Sequence, residues 1–256
     1  MQSYGFVGAG EIAAAIVEGL STGVTDPPPI VLSPRNHDVA HNLAARFPNV
    51  RVCGSNQEVL DAAEAVVVAV RPQVAQEVLA QLAFRPEHVV VSAVAGVGLA
   101  QLSEWVSPAG RIVRSIPLPT AARAASRTAM YPDDAVARAL FESVGDVVVP
   151  GDEPTLNTFS AATSTFAAHL DQLATIASWM AEHGVDPQDA DGYVAHVYGE
   201  LGRTLARHEG TLGELAGKHM TPGGINEQFL AGLRRDGVPD LVRRGLDDVL
   251  ARVKGQ

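Results

Sequence analysis

The segment YGFVGAGEIAAAIVEGL, Tyr4 to Leu20, constrains the fold more than any other stretch of the chain. A strand-like run meets Gly8, Gly10 and Ala13, and good helix formers follow at once. Gly8 permits a tight turn, Gly10 lets a bound group approach the backbone, and Ala13 allows the helix to pack closely on the strand. The N–H groups that open a helix have no partner within it, so the turn suits a diphosphate. The same pattern at another strand–helix turn would serve packing alone. Position separates the two readings. This is the first strand and first helix, and a second strand ends about 20 residues later, which favours dinucleotide binding.

Strand and helix signals alternate through the first half. The β-rich runs are 4–8, 29–33, 50–53, 65–70, 88–94, 111–115, 128–131 and 146–150. Several are apolar on both faces, as strands covered by helices on each side must be. Helical patterns are expected at Glu11–Ser21, Asp38–Phe47, Pro72–Leu82, Leu99–Val106 and Asp134–Ser143. The alternation predicts a Rossmann-type doubly wound parallel sheet over residues 1–150. The span from Arg111 to Pro150 leaves less room for crossovers, so the last strands are expected to run antiparallel at one edge.

Beyond Pro150 no β-rich run occurs, and residues 151–256 are expected to form an all-helical second domain. Asn157 to His183 is one long apolar-periodic stretch ended by Gly184. Asp186 is an N-cap with Pro187 at the first helical position, opening a helix to about His208. Further helices are expected around Leu212–Lys218, Ile225–Arg235 and Pro239–Lys254.

The formal net charge of −10 disfavours nucleic acid as a partner. A single cysteine, Cys53, excludes a disulfide framework and a multi-cysteine metal site. No apolar stretch reaches the ~18 residues of a membrane span, no signal peptide is visible, and a cytoplasmic location is expected. The eight histidines include His196 with Glu200 one turn on, but no ligand set such as H-E-x-x-H, so no metal is expected. No G-x-S-x-G elbow supports hydrolysis.

An acidic chain that binds an anionic cofactor needs a local basic group. The second strand runs into Ser33, Pro34, Arg35 and Asn36, with no carboxylate where an NAD-preferring site usually has one. A hydroxyl, a guanidinium and an amide suit a 2′-phosphate, so NADP is expected over NAD. The alternative is a solvated loop arginine.

Taken in order, GFVGAGEIA, AVRPQ (69–73), VSAVAGV (91–97), RSIPLPTAA (114–122) and KHMTPGG (218–224) resemble pyrroline-5-carboxylate reductases. The resemblance implies a Rossmann domain followed by helical domains that interlock into a homodimer or higher oligomer, with the active site between subunits. It implies NAD(P)H-dependent reduction of the cyclic imine pyrroline-5-carboxylate to proline. By position, Gly8, Gly10, Glu11 and Ile12 would line the diphosphate turn, and Ser33, Arg35 and Asn36 would face the ribose phosphate. Val70, Arg71, Pro72 and Gln73 would close over the cofactor, with Ala93, Ala95 and Gly96 near the nicotinamide.

The departures fall in substrate-facing motifs. Leu118 and Pro119 replace a family asparagine and threonine. In TSTFAA, Ser164 matches the family serine, while Thr163 and Thr165 replace glycines and Phe166 a proline. In TPGGIN, Thr221 replaces a serine, and Ile225 and Asn226 replace threonines, the second of which is expected to contact the substrate nitrogen.

Reducing a C=N bond is chiefly a matter of holding the nicotinamide against an electron-poor carbon. The substrate carboxylate needs an anchor and its nitrogen a polar contact. Thr163, Ser164, Thr165, Thr221, Gly223, Gly224 and Asn226 are the substrate-site candidates, with Ser164, Thr221 and Asn226 closest to the chemistry. Each motif also reads as a plain helix boundary or turn. His219 and Asp171 are weaker candidates, and Tyr193 and Tyr198 are expected in core packing. Two other functions share the fold: an NADP-dependent oxidoreductase of a different imine or carbonyl compound, and a non-catalytic NADPH-binding protein.

Overall fold

A computed structural model describes residues 3–255. Its sheet has eight strands in the order β3-β2-β1-β4-β5-β6-β7-β8. These are β1 (Tyr4–Val7), β2 (Ile30–Leu32), β3 (Val50–Val52), β4 (Ala65–Val68), β5 (Val89–Ser92), β6 (Arg111–Ile116), β7 (Ser126–Tyr131) and β8 (Gly145–Val148). The first six are mutually parallel. β7 reverses direction, with Arg114 opposite Tyr131, and β8 runs parallel to β7. The expected edge reversal is therefore present.

β1, β4 and β5 are buried along their whole length because helices cover both faces. Alternate residues enter different cores. Phe6, Val67 and Val91 join Ile16, Leu32 and Phe141 on one face. Val7, Val66, Val68 and Val90 join Leu79 and Leu102 on the other.

The covering helices are α1 (Glu11–Ser21), α2 (His37–Arg46), α3 (Asn56–Ala62), α4 (Pro72–Ala80), α5 (Leu99–Trp105) and α6 (Ala135–Glu142). α3 lies in a stretch where no helix was expected. It is capped by Ser55, whose Oγ accepts the Glu58 N–H at 3.1 Å, while Glu58 Oε2 accepts the Gly54 N–H at 2.8 Å. α1 packs against a short 3-10 turn, Pro119–Arg123. A Cβ on Gly19 would come within 2.1 Å of the Ala121 carbonyl oxygen, so only glycine permits that approach.

By compactness the chain divides into two units. One runs through Ser160 and includes the stretch from Leu250; the other is Ala161–Val249. α7 (Glu153–Thr163) leaves the first unit, and the expected single stretch from Asn157 to His183 is broken at Ser164, where α8 (Thr165–Glu182) begins. The Ser164 and Thr165 hydroxyls donate back to the carbonyls of Ala161 and Ala162 at 2.7 and 2.8 Å across this break.

α8 packs on α9 (Pro187–Ala206) through Ala177, Ala190 and Val194. Asp186 caps α9 as the sequence indicates, accepting the Gln188 N–H at 2.9 Å. Tyr198 packs beside this cluster, whereas Tyr193 is 62% exposed and takes no part in a core; it points away from the face that Val194 buries. α10 (Leu212–Lys218), α11 (Ile225–Arg235) and α12 (Val238–Val253) follow. α11 and α12 bury no residue, although Ile225, Phe229, Leu241 and Val242 are apolar and exposed. No described helix is long and apolar enough to cross a membrane.

Candidate active site

The carboxyl ends of β1, β4 and β5 lie side by side, because Ala69 N–H donates to Val7 O at 2.9 Å and Ala93 N–H to Val68 O at 2.8 Å. β1 is also where the strand order reverses, the position at which an open α/β sheet leaves a crevice. Three sets of cofactor candidates meet there: Gly8 to Ile12, Val70 to Gln73, and Ala93 to Gly96.

Gly8 has φ +101°, and a Cβ on it would sit 2.7 Å from the Ala69 carbonyl oxygen. Turn and neighbour both demand glycine. Val70 closes this side, with its Cγ1 3.0 Å from the same point. Gly10 starts α1 in extended conformation with no side-chain cap, and open space lies where its Cβ would be. The N–H groups of Glu11, Ile12 and Ala13 precede the first helical bond, which Ala14 makes to Gly10 O at 2.9 Å. Uncapped donors, a positive helix end and no side chain above them fit a dinucleotide's diphosphate.

The loop after β2 is tied to this turn. Ser33 is fully buried, and its Oγ accepts the Gly8 N–H at 2.9 Å. Asn36 adopts φ 75° at the start of α2 and donates its amide to Ala9 O at 3.0 Å. Both side chains brace the turn from behind. Arg35 lies between them, exposed and with no ion pair or hydrogen bond among the described residues. Arg71 is exposed at the start of α4, with Pro72 at the first helical position.

The loop 93–98 is held at both ends, by residues that sequence reasoning did not select. Ser115 Oγ donates to Ser92 O at 3.0 Å, and Ser92 Oγ accepts the Val94 N–H at 3.3 Å. Across the loop, Glu153 Oε1 accepts the Leu99 N–H and an Arg114 guanidinium N–H, each at 2.7 Å. The available signal was Arg114, a charge between Val113 and Ser115 in the interior of β6.

In the second unit, Thr163, Ser164 and Thr165 form the junction of α7 and α8. The motif TPGG makes a turn closed by its own bonds: Gly224 N–H to Thr221 O at 2.8 Å, and Gly223 N–H to Glu227 Oε2 at 2.6 Å. Asn226 Nδ2 donates to His219 O at 3.0 Å, which leaves Oδ1 as an acceptor beside Ile225 and Phe229 in a shallow groove along α11. Asp171 and His196 are exposed on their helices. Among the described residues no three His, Cys, Asp or Glu side chains gather as metal ligands.

Residues 3–96 match a family model described as NADP oxidoreductase, coenzyme F420-dependent. Pyrroline-5-carboxylate reductase 3 of Macaca fascicularis is 38% identical over 44% of this chain and 42% of its own length, so the match spans less than half of that relative. Pyrroline-5-carboxylate reductase of Pseudomonas aeruginosa is 25% identical over 94% of this chain and 92% of its own. The solved structure of a pyrroline-5-carboxylate reductase from Coxiella burnetii superposes with a TM-score of 0.83 at 22% identity, covering 98% of this chain and 97% of that one. Over nearly its whole length the chain is thus similar in sequence, and similar in fold, to pyrroline-5-carboxylate reductases.

Proposed function

We propose that the protein is an NADPH-dependent reductase of a cyclic imine, with pyrroline-5-carboxylate, reduced to proline, as the substrate to test first. The observation that carries this reading is the β1–α1 turn: Gly8 at φ +101°, braced by Ser33, in front of an uncapped helix. Relatives matched over more than nine-tenths of this chain are named pyrroline-5-carboxylate reductases.

When bound, the reduced nicotinamide supplies a hydride. The chain's own residues bind, orient and exclude water. Gly8, Gly10, Glu11 and Ile12 offer main-chain donors to the diphosphate. Arg35 meets the 2′-phosphate, while Ser33 and Asn36 hold the turn from which it projects; this favours NADPH over NADH. Val70, Arg71 and Pro72 flank the dinucleotide, and Ala93 and Ala95 face the nicotinamide with no bulk to displace it.

A protonated imine presents N–H, so it needs an acceptor. Asn226 has its amide N–H on His219 O, and Oδ1 fills that role in place of a hydroxyl. The Thr221 hydroxyl would anchor the substrate carboxylate, because the Ser164 and Thr165 hydroxyls and the Gly223 and Gly224 N–H groups are engaged within the protein. An imine already protonated at nitrogen is electron-poor, so the chain's residues would need to position it without supplying a strong acid.

A homodimer accompanies this reading. Ile225 and Phe229, four residues apart on one face of α11, are 83% and 63% exposed, and a second copy would cover them. Ile225 and Phe166 favour a second substrate reading, a bulkier or more apolar imine than pyrroline-5-carboxylate, because Ile225 stands where a threonine is usual and Phe166 where a proline is. Following NADPH oxidation with pyrroline-5-carboxylate and with a panel of apolar cyclic imines tests both. Turnover of pyrroline-5-carboxylate supports the first reading, turnover of the panel alone the second. NADPH binding without turnover of any imine overturns both and leaves a binding protein.

A further inference from the structure

Arg114, on a strand separated from β1 by β4 and β5, forms an ion pair with Glu153 at 2.7 Å. The two side chains are 6% and 28% exposed. Glu153 is the first residue of α7, and its Oε1 takes two bonds at once. One comes from the Arg114 guanidinium on β6. The other comes from the Leu99 N–H, which opens α5 and has no partner within that helix. Gly98, at the start of α5, has no side chain to cap it. Glu153 supplies that cap from another element, and its Oε1 lies 3.6 Å from where a Gly98 Cβ would be.

The segment this fixes is the β5–α5 loop, Ala93–Gly98. Its other end is fixed by Ser115, the next residue on β6, through Ser92 O. Successive residues of one strand, pointing to opposite faces, therefore anchor the two ends of one loop. Between the anchors Ala95 and Gly96 are exposed, and Gly96 has φ +73°. Val94 and Val97 pack into the core beside the loop, while its exposed tip, Ala95 and Gly96, has little side chain of its own to hold it. A carboxylate shared between a buried guanidinium and a helix-opening N–H gives it a fixed position at low side-chain bulk.

We propose that Arg114 and Glu153 are positioning residues for the nicotinamide half of the cofactor, acting through the β5–α5 loop; this rests on the reading of the site as an NADPH site. Neither residue touches the cofactor in this account. The pair governs where the backbone of Ala93–Gly98 stands. The adenosine half, bound by the loop after β2 and the β1–α1 turn, does not depend on it.

The test uses the full-length protein and two probes, NADPH and 2′,5′-ADP, the latter carrying only the adenosine half with its 2′-phosphate. Binding is read by calorimetry, and the reduced nicotinamide separately by its fluorescence shift. Glu153→Ala and Arg114→Met are expected to weaken NADPH binding about tenfold, the scale of a lost helix cap, and to abolish the fluorescence shift. Binding of 2′,5′-ADP is expected to stay within about twofold. Glu153→Gln keeps an acceptor for the Leu99 N–H and falls between wild type and alanine; it serves if the other variants do not fold. Parallel loss of both probes marks a general structural role and overturns the proposal, as does no change in either. If the wild-type protein binds neither probe, the NADPH reading itself is wrong.

Discussion

Ser33 Oγ accepts the N–H of Gly8 at 2.9 Å, so the end of β2 holds the turn in which β1 ends. This bond links 25 positions of sequence and makes the glycine turn and the loop after β2 a single piece. The proposed diphosphate and ribose-phosphate ends of the site are thereby coupled through one buried hydroxyl. Ser33→Ala leaves the Gly8 N–H without its partner and is expected to cost about 1–3 kcal/mol, read by urea unfolding, with a parallel loss of NADPH affinity.

Gly8→Ala forces a Cβ to within 2.7 Å of the Ala69 carbonyl oxygen at a φ that L-residues rarely adopt. Backbone strain of this kind costs about 1–3 kcal/mol before any shift of β4. The expected outcome is a lower midpoint of thermal unfolding together with loss of NADPH binding. Gly10→Ala meets open space, so it should fold normally and lose affinity alone.

Arg35 is the free cation in the loop after β2, and its removal should act on one cofactor only. Arg35→Ala is expected to weaken NADPH about 10- to 100-fold, the range of a charged hydrogen bond, and to leave NADH nearly unchanged. Dissociation constants for both nucleotides decide it. Equal loss of the two would place the 2′-phosphate elsewhere.

His88 is fully buried, accepting the Arg85 N–H at Nδ1 (3.0 Å), with Nε2 3.1 Å from Leu60 O. Burial, and then the Arg85 charge, push its pKa below the ordinary 6.5. The neutral ring is the native form, while the unfolded chain takes up a proton as pH falls through 6.5. Its contribution is therefore complete above that pH and declines below it, toward and past the lowered native pKa. Between pH 7 and 5 the wild type is expected to lose stability, and His88→Gln to show a shallower slope, by denaturant unfolding at each pH.

Phe229→Asp on the exposed face of α11 is expected to convert a dimer to a monomer in sedimentation at micromolar concentration. A wild-type protein that sediments as a monomer would remove the dimer and its shared-site consequence.

The strands and most helices were legible because each carries a local signal. β4 and β5 are continuous apolar runs, and Asp186-Pro187 announces α9. α3 also carried one, Ser55 three residues before Glu58, but its seven residues are too few to show a helical period. The break at Ser164 was less legible, since apolar spacing continues on both sides of it. At the site, the glycine turn could be read from spacing, because backbone chemistry dictates residue type there. The pairing of Arg114 with Glu153 could not, as no local pattern says which residue 39 positions away will face a charge in a strand. Ser33 was visible as a polar strand end, but its bond to Gly8 depends on which strand lies beside β1.

In the proposed site the main-chain donors of the β1–α1 turn hold the dinucleotide, and amide hydrogen exchange with and without NADPH tests this most directly. Exchange at Gly10 to Ala13 is predicted to slow on adding the nucleotide, with calorimetric heat at the same concentrations. A folded protein that gives no heat and unchanged exchange at these four positions would contradict it.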